Sequence, residues 1–146
     1  MPEFQSFAAS HPAVKLVPRV ERDAYFPLIQ GARFLVWPSL GYYETFGRVA
    51  IEAYACGVPV LGSYLGANGE MVQDGQTGLH FNPEDPRDLA AKVQWAWDHP
   101  AEMSEMGRKA RKKYEAEFAA EKNYERIMEI YHTVLARRGL GSGAKA

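Results

Sequence analysis

The sequence predicts an α/β fold in which helices cover a doubly wound parallel sheet, followed by a long C-terminal helical tract. Short apolar runs alternate with segments of helical apolar spacing over most of the chain. The runs are apolar throughout, as in a parallel sheet that is covered on both faces. From residue 101 onward, charged residues surround one apolar stripe. With 146 residues and 47% hydrophobic content, the chain fills a single core.

The first elements follow in the order strand, helix, strand. Residues 14–17 are a short apolar run that we expect to be a strand. The charged residues 19–23 then open a helix that extends to Gln30. Residues 34–37 are a second apolar run, closed by Pro38 and Ser39.

The same alternation continues through the middle of the chain. Residues 46–55 have helical apolar spacing until Gly57 stops the helix. Residues 59–61 and 78–81 are the third and fourth predicted strands, and a turn-rich segment precedes the latter. A helix over residues 87–97 begins after Asp85 and Pro86, since these residues favour a helix start. Four strands therefore alternate with helices.

The C-terminal tract carries an apolar stripe that needs a cover. We expect this stripe either to pack on the domain's own core or to contact another chain, because an apolar stripe of this length is rarely exposed to solvent. The small, glycine-rich residues 139–146 end the helix, and we expect them to be a flexible tail after a domain over residues 1–138. The stripe consists of Tyr114, Phe118, Tyr124, Ile127, Met128, Tyr131, Val134 and Leu135.

Composition excludes several classes of function. The 17 basic residues are balanced by 18 acidic ones, so the chain lacks the positive charge that binding to nucleic acid needs. The lone Cys56 cannot form an internal disulfide, which favours a cytoplasmic location. No apolar run is long enough to span a membrane, and the four histidines lack the spacing of a metal site.

The residues that carry chemistry follow the second predicted strand. In an open parallel sheet, ligands bind beyond the carboxyl ends of the strands. Glu44 follows the strand predicted over residues 34–37, so we expect it to face the ligand cleft. Phe46 and Gly47 open a helix whose first N–H groups and dipole favour a phosphate, and Gly47 permits a close approach. Glu52 lies about 10 Å from Glu44 if the intervening residues are helical. Two carboxylates at this separation suit the sugar hydroxyls of a nucleoside diphosphate sugar.

The segment ETFGRVAIEAYACGVPV resembles the signature of family 4 (group 1) retaining glycosyltransferases, in which seven residues separate two glutamates. The resemblance implies a GT-B fold, whose two Rossmann-like domains face one cleft. This chain is then part of the C-terminal, donor-binding domain. It also implies transfer of a sugar from a nucleotide diphosphate sugar with retention of configuration and without a metal. The resemblance extends to residues 38–39, 66–70, 74–75 and 77–78.

The resemblance also implies a role for each matching residue. Glu44 binds hydroxyls of the donor sugar, and Glu52 holds the ribose. The backbone around Arg19 and Val20 borders the base. Backbone amides of three residues contact the sugar and the diphosphate, namely those of Phe46, Gly47 and Val49.

The chain departs from the family pattern in ways that concern its partners. Two strand and helix units that carry a diphosphate-binding Arg and Lys are missing, and so is the N-terminal domain that binds the acceptor. We therefore expect activity only with an acceptor-domain chain, or self-association through the C-terminal helix. At the position of Arg48, an aliphatic residue is common in the family, and at the position of Pro18 a glycine is common.

Other functions stay open at this point. A truncated, non-catalytic module that binds a nucleotide sugar or a protein accounts for the same motif. An epimerase acting on nucleotide sugars has a similar fold, but the spacing of Glu44 and Glu52 disfavours it. Each glutamate also has an ordinary structural interpretation. For Glu44 it is an exposed loop carboxylate, and for Glu52 it is a member of a surface ion pair.

Overall fold

The computed structural model describes residues 2–39 and 46–138. The described part is mainly helical and contains three short strands. In chain order its elements are α1 (Pro2–Ser10), α2 (Arg22–Gln30), β1 (Leu35–Trp37), α3 (Arg48–Ala55), β2 (Val60–Ser63), α4 (Gly66–Met71), β3 (Gly78–Phe81), α5 (Pro86–Asp98), α6 (Pro100–Glu117) and α7 (Ala120–Arg137).

The three strands form a parallel sheet in the order β1, β2, β3. Val60 in β2 is the partner of Leu35 in β1 and of Gly78 in β3. Val60 and its neighbour Leu61 are both fully buried, and they belong to separate core clusters. Because successive strand residues point to opposite faces, each face of the sheet has its own core. The predicted parallel sheet with helices on both faces is confirmed.

The strand predicted over residues 14–17 is wrong. In the described structure this segment has no strand partner, and Val14, Leu16 and Val17 are 39%, 51% and 55% exposed. A strand needs a neighbour for its backbone N–H and C=O groups, and the apolar run alone does not supply one. The chain instead passes alongside β1, where Val17 and Leu35 border the same groove without pairing.

Helix α3 is packed closely between the sheet and α6. Ala50, Ala53 and Tyr54 are fully buried on its inner face. Gly57, with φ +71°, follows the helix, and a Cβ at Gly107 of α6 would lie 2.2 Å from the Gly57 carbonyl oxygen. Only small residues permit this approach, which fixes the depth of α3 and hence the position of its N-terminus.

Tyr54 ties α3 to the turn before β3. Its hydroxyl donates to the Met71 carbonyl at 3.2 Å and hydrogen-bonds to the Thr77 hydroxyl at 2.7 Å. Burial raises the pKa of Tyr54 from its ordinary value of 10.0 to about 12. The folded chain therefore keeps this proton at a pH where the unfolded chain releases it.

We expect the Tyr54 hydroxyl to make the chain less stable in alkali. Between pH 10.0 and about 12 the unfolded state loses a proton that the folded state retains, so the free energy of unfolding falls as the pH rises. The fall amounts to roughly 1–1.5 kcal/mol by pH 11 and to roughly 2–3 kcal/mol once the pH has passed about 12. Urea unfolding at pH 8 and pH 11 measures it, and Tyr54→Phe should flatten the dependence. Tyr64→Phe removes a half-exposed hydroxyl and should keep the wild-type dependence; equal slopes in both variants would refute the assignment.

The C-terminal tract is two helices, α6 and α7, with a break at Phe118 and Ala119. Tyr114 and Phe118 pack against the core. The stripe on α7 has no cover within the described residues, because no residue of this helix is buried. The predicted tail, residues 139–146, lies outside the described part. The exposed large apolar residues of α7 are Tyr124, Ile127, Ile130, Tyr131, Val134 and Leu135.

Candidate functional site

A cleft of about 510 Å³ lies beside the first turns of α3. We call it the α3 cleft. Helices α2, α6 and α7 contribute its other walls, so it combines residues that are far apart in the chain. Its lining residues are Phe26, Phe46, Arg48, Ile51, Glu52, Ala55, Tyr114, Glu117, Phe118, Asn123 and Arg126.

Gly47 immediately precedes α3 with φ +69°, a conformation that side chains rarely adopt. It is buried, and a Cβ at this position would lie 2.0 Å from the Trp37 ring. Trp37 is the last residue of β1 and is 5% exposed. As the N-cap residue, Gly47 has no side chain with which to cap the helix, and the first N–H groups of a helix have no partner within the helix. The turn therefore brings backbone donors to the carboxyl edge of the sheet.

Glu52 lies in the wall of the α3 cleft, with its side chain 22% exposed. Arg48, one turn earlier and 82% exposed, approaches its carboxylate to 3.8 Å. The pKa of Tyr25 is raised, first by burial and then by the charge and the hydrogen bond of Glu52. One exposed cation therefore lies near the Glu52 carboxylate.

Phe46 and Val49 flank Gly47 differently. Phe46 is 56% exposed and lines the α3 cleft. Val49 is half-buried and its side chain packs against the core. The backbone of Val49 is the part to which the family resemblance assigns a role, and that role stays a prediction.

Arg19 and Val20 lie in a second groove, of about 500 Å³, bordered by α2 and the edge of β1. We call it the α2 groove. The structure does not place them in the α3 cleft with Glu52. Tyr25 also lines this groove.

The predicted catalytic residue, Glu44, lies outside the described residues. The end of β1 just before it is fixed, because the Ser63 hydroxyl donates to the Ser39 carbonyl at 2.8 Å. The amide of buried Asn68 in turn donates to the Ser63 hydroxyl at 3.0 Å. These bonds join β1, β2 and α4 at the sheet edge where a ligand was predicted.

Sequence reasoning did not identify the outer walls of the α3 cleft. Asn123 and Arg126 reach it because the chain breaks after α6, and Arg126 donates to the carbonyl of Glu117 at 3.1 Å. The spacing of the apolar residues in the sequence did not indicate the break at Phe118 and Ala119. On α2, the neighbouring rings of Tyr25 and Phe26 contact each other edge to face at 5.9 Å.

Neither a metal cluster nor a membrane-spanning helix is found in the described ranges. Within residues 2–39 and 46–138, no three His, Cys, Asp or Glu side chains are placed to hold a metal ion. No helix in these ranges is long and apolar enough to cross a membrane. The metal-free reaction stays a prediction.

Solved structures share this fold. Sucrose-phosphate synthase from Thermosynechococcus elongatus superposes with a TM-score of 0.82 and 29% identity, over 93% of this chain and 34% of that one. Anabaena HepE, solved with UDP and glucose, has a TM-score of 0.79 over 90% of this chain and 36% of its own. At 21% identity it shows the fold alone. The predicted GT-B architecture is confirmed by these glycosyltransferase neighbours.

Proteins similar in sequence are also sugar-transferring enzymes. Glycogen synthase of Mycobacterium tuberculosis (strain ATCC 25618 / H37Rv) is 35% identical over 127 residues, which is 87% of this chain and 30% of that protein. D-rhamnosyltransferase WbpZ of Pseudomonas aeruginosa is 32% identical over 108 residues, covering 73% and 28%. This chain thus spans less than a third of each relative's length. The family model "Glycosyl transferases group 1" matches residues 1–99. The chain therefore belongs to the group 1 glycosyltransferases.

Proposed function

We propose that this chain binds the donor of a sugar-transfer reaction, a nucleoside diphosphate sugar, at the N-terminal end of α3. The observation that carries the proposal is that Phe46 and Glu52 both line the α3 cleft, while Gly47 lies immediately before the first residue of α3. A helix start supplies donors and a favourable dipole for the diphosphate, while a carboxylate accepts hydrogen bonds from hydroxyls. The family relationship supports the same assignment.

The donor would extend from the α2 groove across α3 to the sheet edge. Its base would lie near Arg19 and Val20, and its ribose hydroxyls would bond to Glu52. The diphosphate would meet the backbone at Phe46, Gly47 and Val49. The sugar would then reach Glu44, which binds its hydroxyls and orients the anomeric carbon.

The reaction we propose retains the configuration of the sugar. The bond from the anomeric carbon to the diphosphate oxygen breaks while the acceptor oxygen bonds to that carbon on the same face. The acceptor proton passes to the departing phosphate oxygen. Negative charge grows on the diphosphate, so the α3 N-terminus stabilises the transition state more than the ground state. Arg48, in the first turn of α3, adds a positive charge beside it.

Transfer would also need an acceptor-binding domain. The described residues leave the apolar face of α7 uncovered, with Tyr124 and Tyr131 65% and 60% exposed. Such a face suits a protein partner. We propose that an acceptor domain covers it, and self-association through α7 is the alternative.

Saturation-transfer NMR with uridine, guanosine and adenosine diphosphate glucose tests the proposed pose. For one donor we expect transfer to base, ribose and glucose protons alike. Glu44→Gln should weaken the glucose signals severalfold relative to the base signals, because a charge-assisted bond to the sugar is lost.

The matched control is Glu115→Gln, since Glu115 is a carboxylate paired with Arg111 on the α6 surface. It should leave the ratio of glucose to base signals unchanged. An unchanged ratio in Glu44→Gln, or wild-type signals from glucose only, would contradict the pose.

A further inference from the structure

Two buried polar side chains hold the carboxyl end of β1. Ser63, the last residue of β2, is fully buried, and its hydroxyl donates to the Ser39 carbonyl at 2.8 Å. Asn68 of α4 is also fully buried, and its amide donates to the Ser63 hydroxyl at 3.0 Å. The same amide nitrogen lies 3.4 Å from the Ser39 carbonyl and 3.5 Å from the Trp37 carbonyl. The pairing of β1 with β2 ends at Trp37, so these side chains hold the chain beyond the strand.

The burial of Asn68 is unfavourable for stability. Its Oδ1 atom accepts no hydrogen bond from any residue in the described ranges, although the side chain is 0% exposed. A buried acceptor without a partner is costly, and most buried polar groups avoid that state. The amide N–H groups, which face the end of β1, are therefore the part of Asn68 that accounts for its presence.

The end of β1 contacts the start of α3 through Trp37. This residue is 5% exposed, and a Cβ on Gly47 would lie 2.0 Å from its ring. The indole therefore meets the backbone of Gly47 itself, and a close-packed contact of this kind passes a displacement on. Gly47 immediately precedes the first residue of α3. Ser63 and Asn68, by contrast, line neither the α3 cleft nor the α2 groove.

We propose that Ser63 and Asn68 are positioning residues that fix the start of α3, through Trp37, where the diphosphate of the donor would bind. This inference rests on the proposed function. Backbone N–H groups hold a phosphate only at hydrogen-bond distance, so a small shift of the helix start weakens several bonds at once. The base would lie in the α2 groove, which this support does not reach. Loss of either polar side chain therefore weakens the hold on the diphosphate more than the hold on the nucleoside.

The test compares each nucleoside diphosphate with the nucleoside that lacks the phosphates. Uridine, guanosine, adenosine and their diphosphates are titrated into the wild-type chain, Ser63→Ala and Asn68→Ala, and NMR shifts give the dissociation constants. For the preferred base, we expect both variants to bind the diphosphate roughly three- to tenfold more weakly, as for the loss of about one hydrogen bond. Both should bind the nucleoside like the wild type. Ser63→Ala removes a single hydroxyl, so it decides the result even if Asn68→Ala fails to fold.

Thr77→Val is the matched control. Thr77 is buried and polar as well, and its hydroxyl hydrogen-bonds to the Tyr54 hydroxyl at 2.7 Å and accepts from the Gln73 N–H at 2.9 Å. Tyr54 lies in the last turn of α3, so this network holds the other end of the helix. The variant should lose stability but keep the wild-type ratio of diphosphate to nucleoside affinity.

Several outcomes would overturn the proposal. Equal weakening of nucleoside and diphosphate binding in Ser63→Ala would make the two residues structural only. A change of the same size in the Thr77→Val ratio would lead to the same conclusion. Wild-type diphosphate affinity in Ser63→Ala would remove the positioning role while leaving the proposed function intact. Failure of the folded wild-type chain to bind any of the six compounds would overturn the proposed function, and this inference with it.

Discussion

Replacing Gly47 with alanine should lower the free energy of unfolding by about 3 kcal/mol or more. Two costs add up. A side chain at φ +69° costs roughly 1–2 kcal/mol, and overpacking a core position costs roughly 1–3 kcal/mol. The new methyl would lie 2.0 Å from the buried Trp37 ring, so either the ring or the start of α3 must move. Urea unfolding measures the loss, which is large against a typical stability of about 5–15 kcal/mol.

Gly75→Ala is a matched control for this variant. Gly75 has the same φ of +69°, but a Cβ there would meet nothing within 4 Å. It should therefore show the backbone cost alone. The two variants should differ by roughly 1–3 kcal/mol, the cost of the collision. Equal destabilisation would mean that Trp37 yields freely and that Gly47 is needed only for its backbone conformation.

Replacing Glu52 with glutamine should weaken nucleotide binding tenfold or more. The amide keeps the shape of the side chain but loses the charge-assisted bonds to the ribose hydroxyls, worth about 1.5–3 kcal/mol. The measurement is the dissociation constant of the preferred nucleotide. Stability should change by less than about 1 kcal/mol, because the ion pair with Arg48 is long, at 3.8 Å, and the Arg48 side chain is exposed.

Glu115→Gln again provides the control, since it breaks a surface pair with Arg111 and should leave affinity unaltered. A Glu52 variant with wild-type affinity would support the structural interpretation, in which this residue belongs to a surface ion pair. Loss of folding in Glu52→Gln would point the same way.

The elements that sequence predicted well are those whose signal is local. Residues 34–37 and 59–61 are apolar runs, and β1 and β2 form at these places, although Val36 in β1 is 36% exposed. The helix predicted over 87–97 appears as α5, whose Asp85 side chain accepts from the Arg87 N–H at 2.9 Å. Such caps and runs depend on near neighbours only.

The failed strand over residues 14–17 shows the limit of that signal. Its apolar run resembles those of β1 and β2, but strand formation depends on a partner that lies far away in the sequence. The described structure has no strand beside β1 on this edge. An apolar segment without a partner remains an exposed connection.

In the candidate site, too, the residues that depend on local sequence were predicted and those that depend on distant contacts were not. Phe46, Gly47 and Glu52 were predicted together because one helix start positions all three. The walls from α6 and α7 were not predicted, since they depend on the break at Phe118 and Ala119. Glu44 stays a prediction, because it lies outside the described residues.

Calorimetric titration of the purified, monodisperse chain with uridine, guanosine and adenosine diphosphate glucose tests the central claim most directly. We expect saturable one-site binding of one donor, and much weaker binding of glucose 1-phosphate, which lacks the nucleoside that the α2 groove and Glu52 would hold. Absence of binding by a chain that is shown to be folded would contradict the account and favour a non-catalytic interaction module.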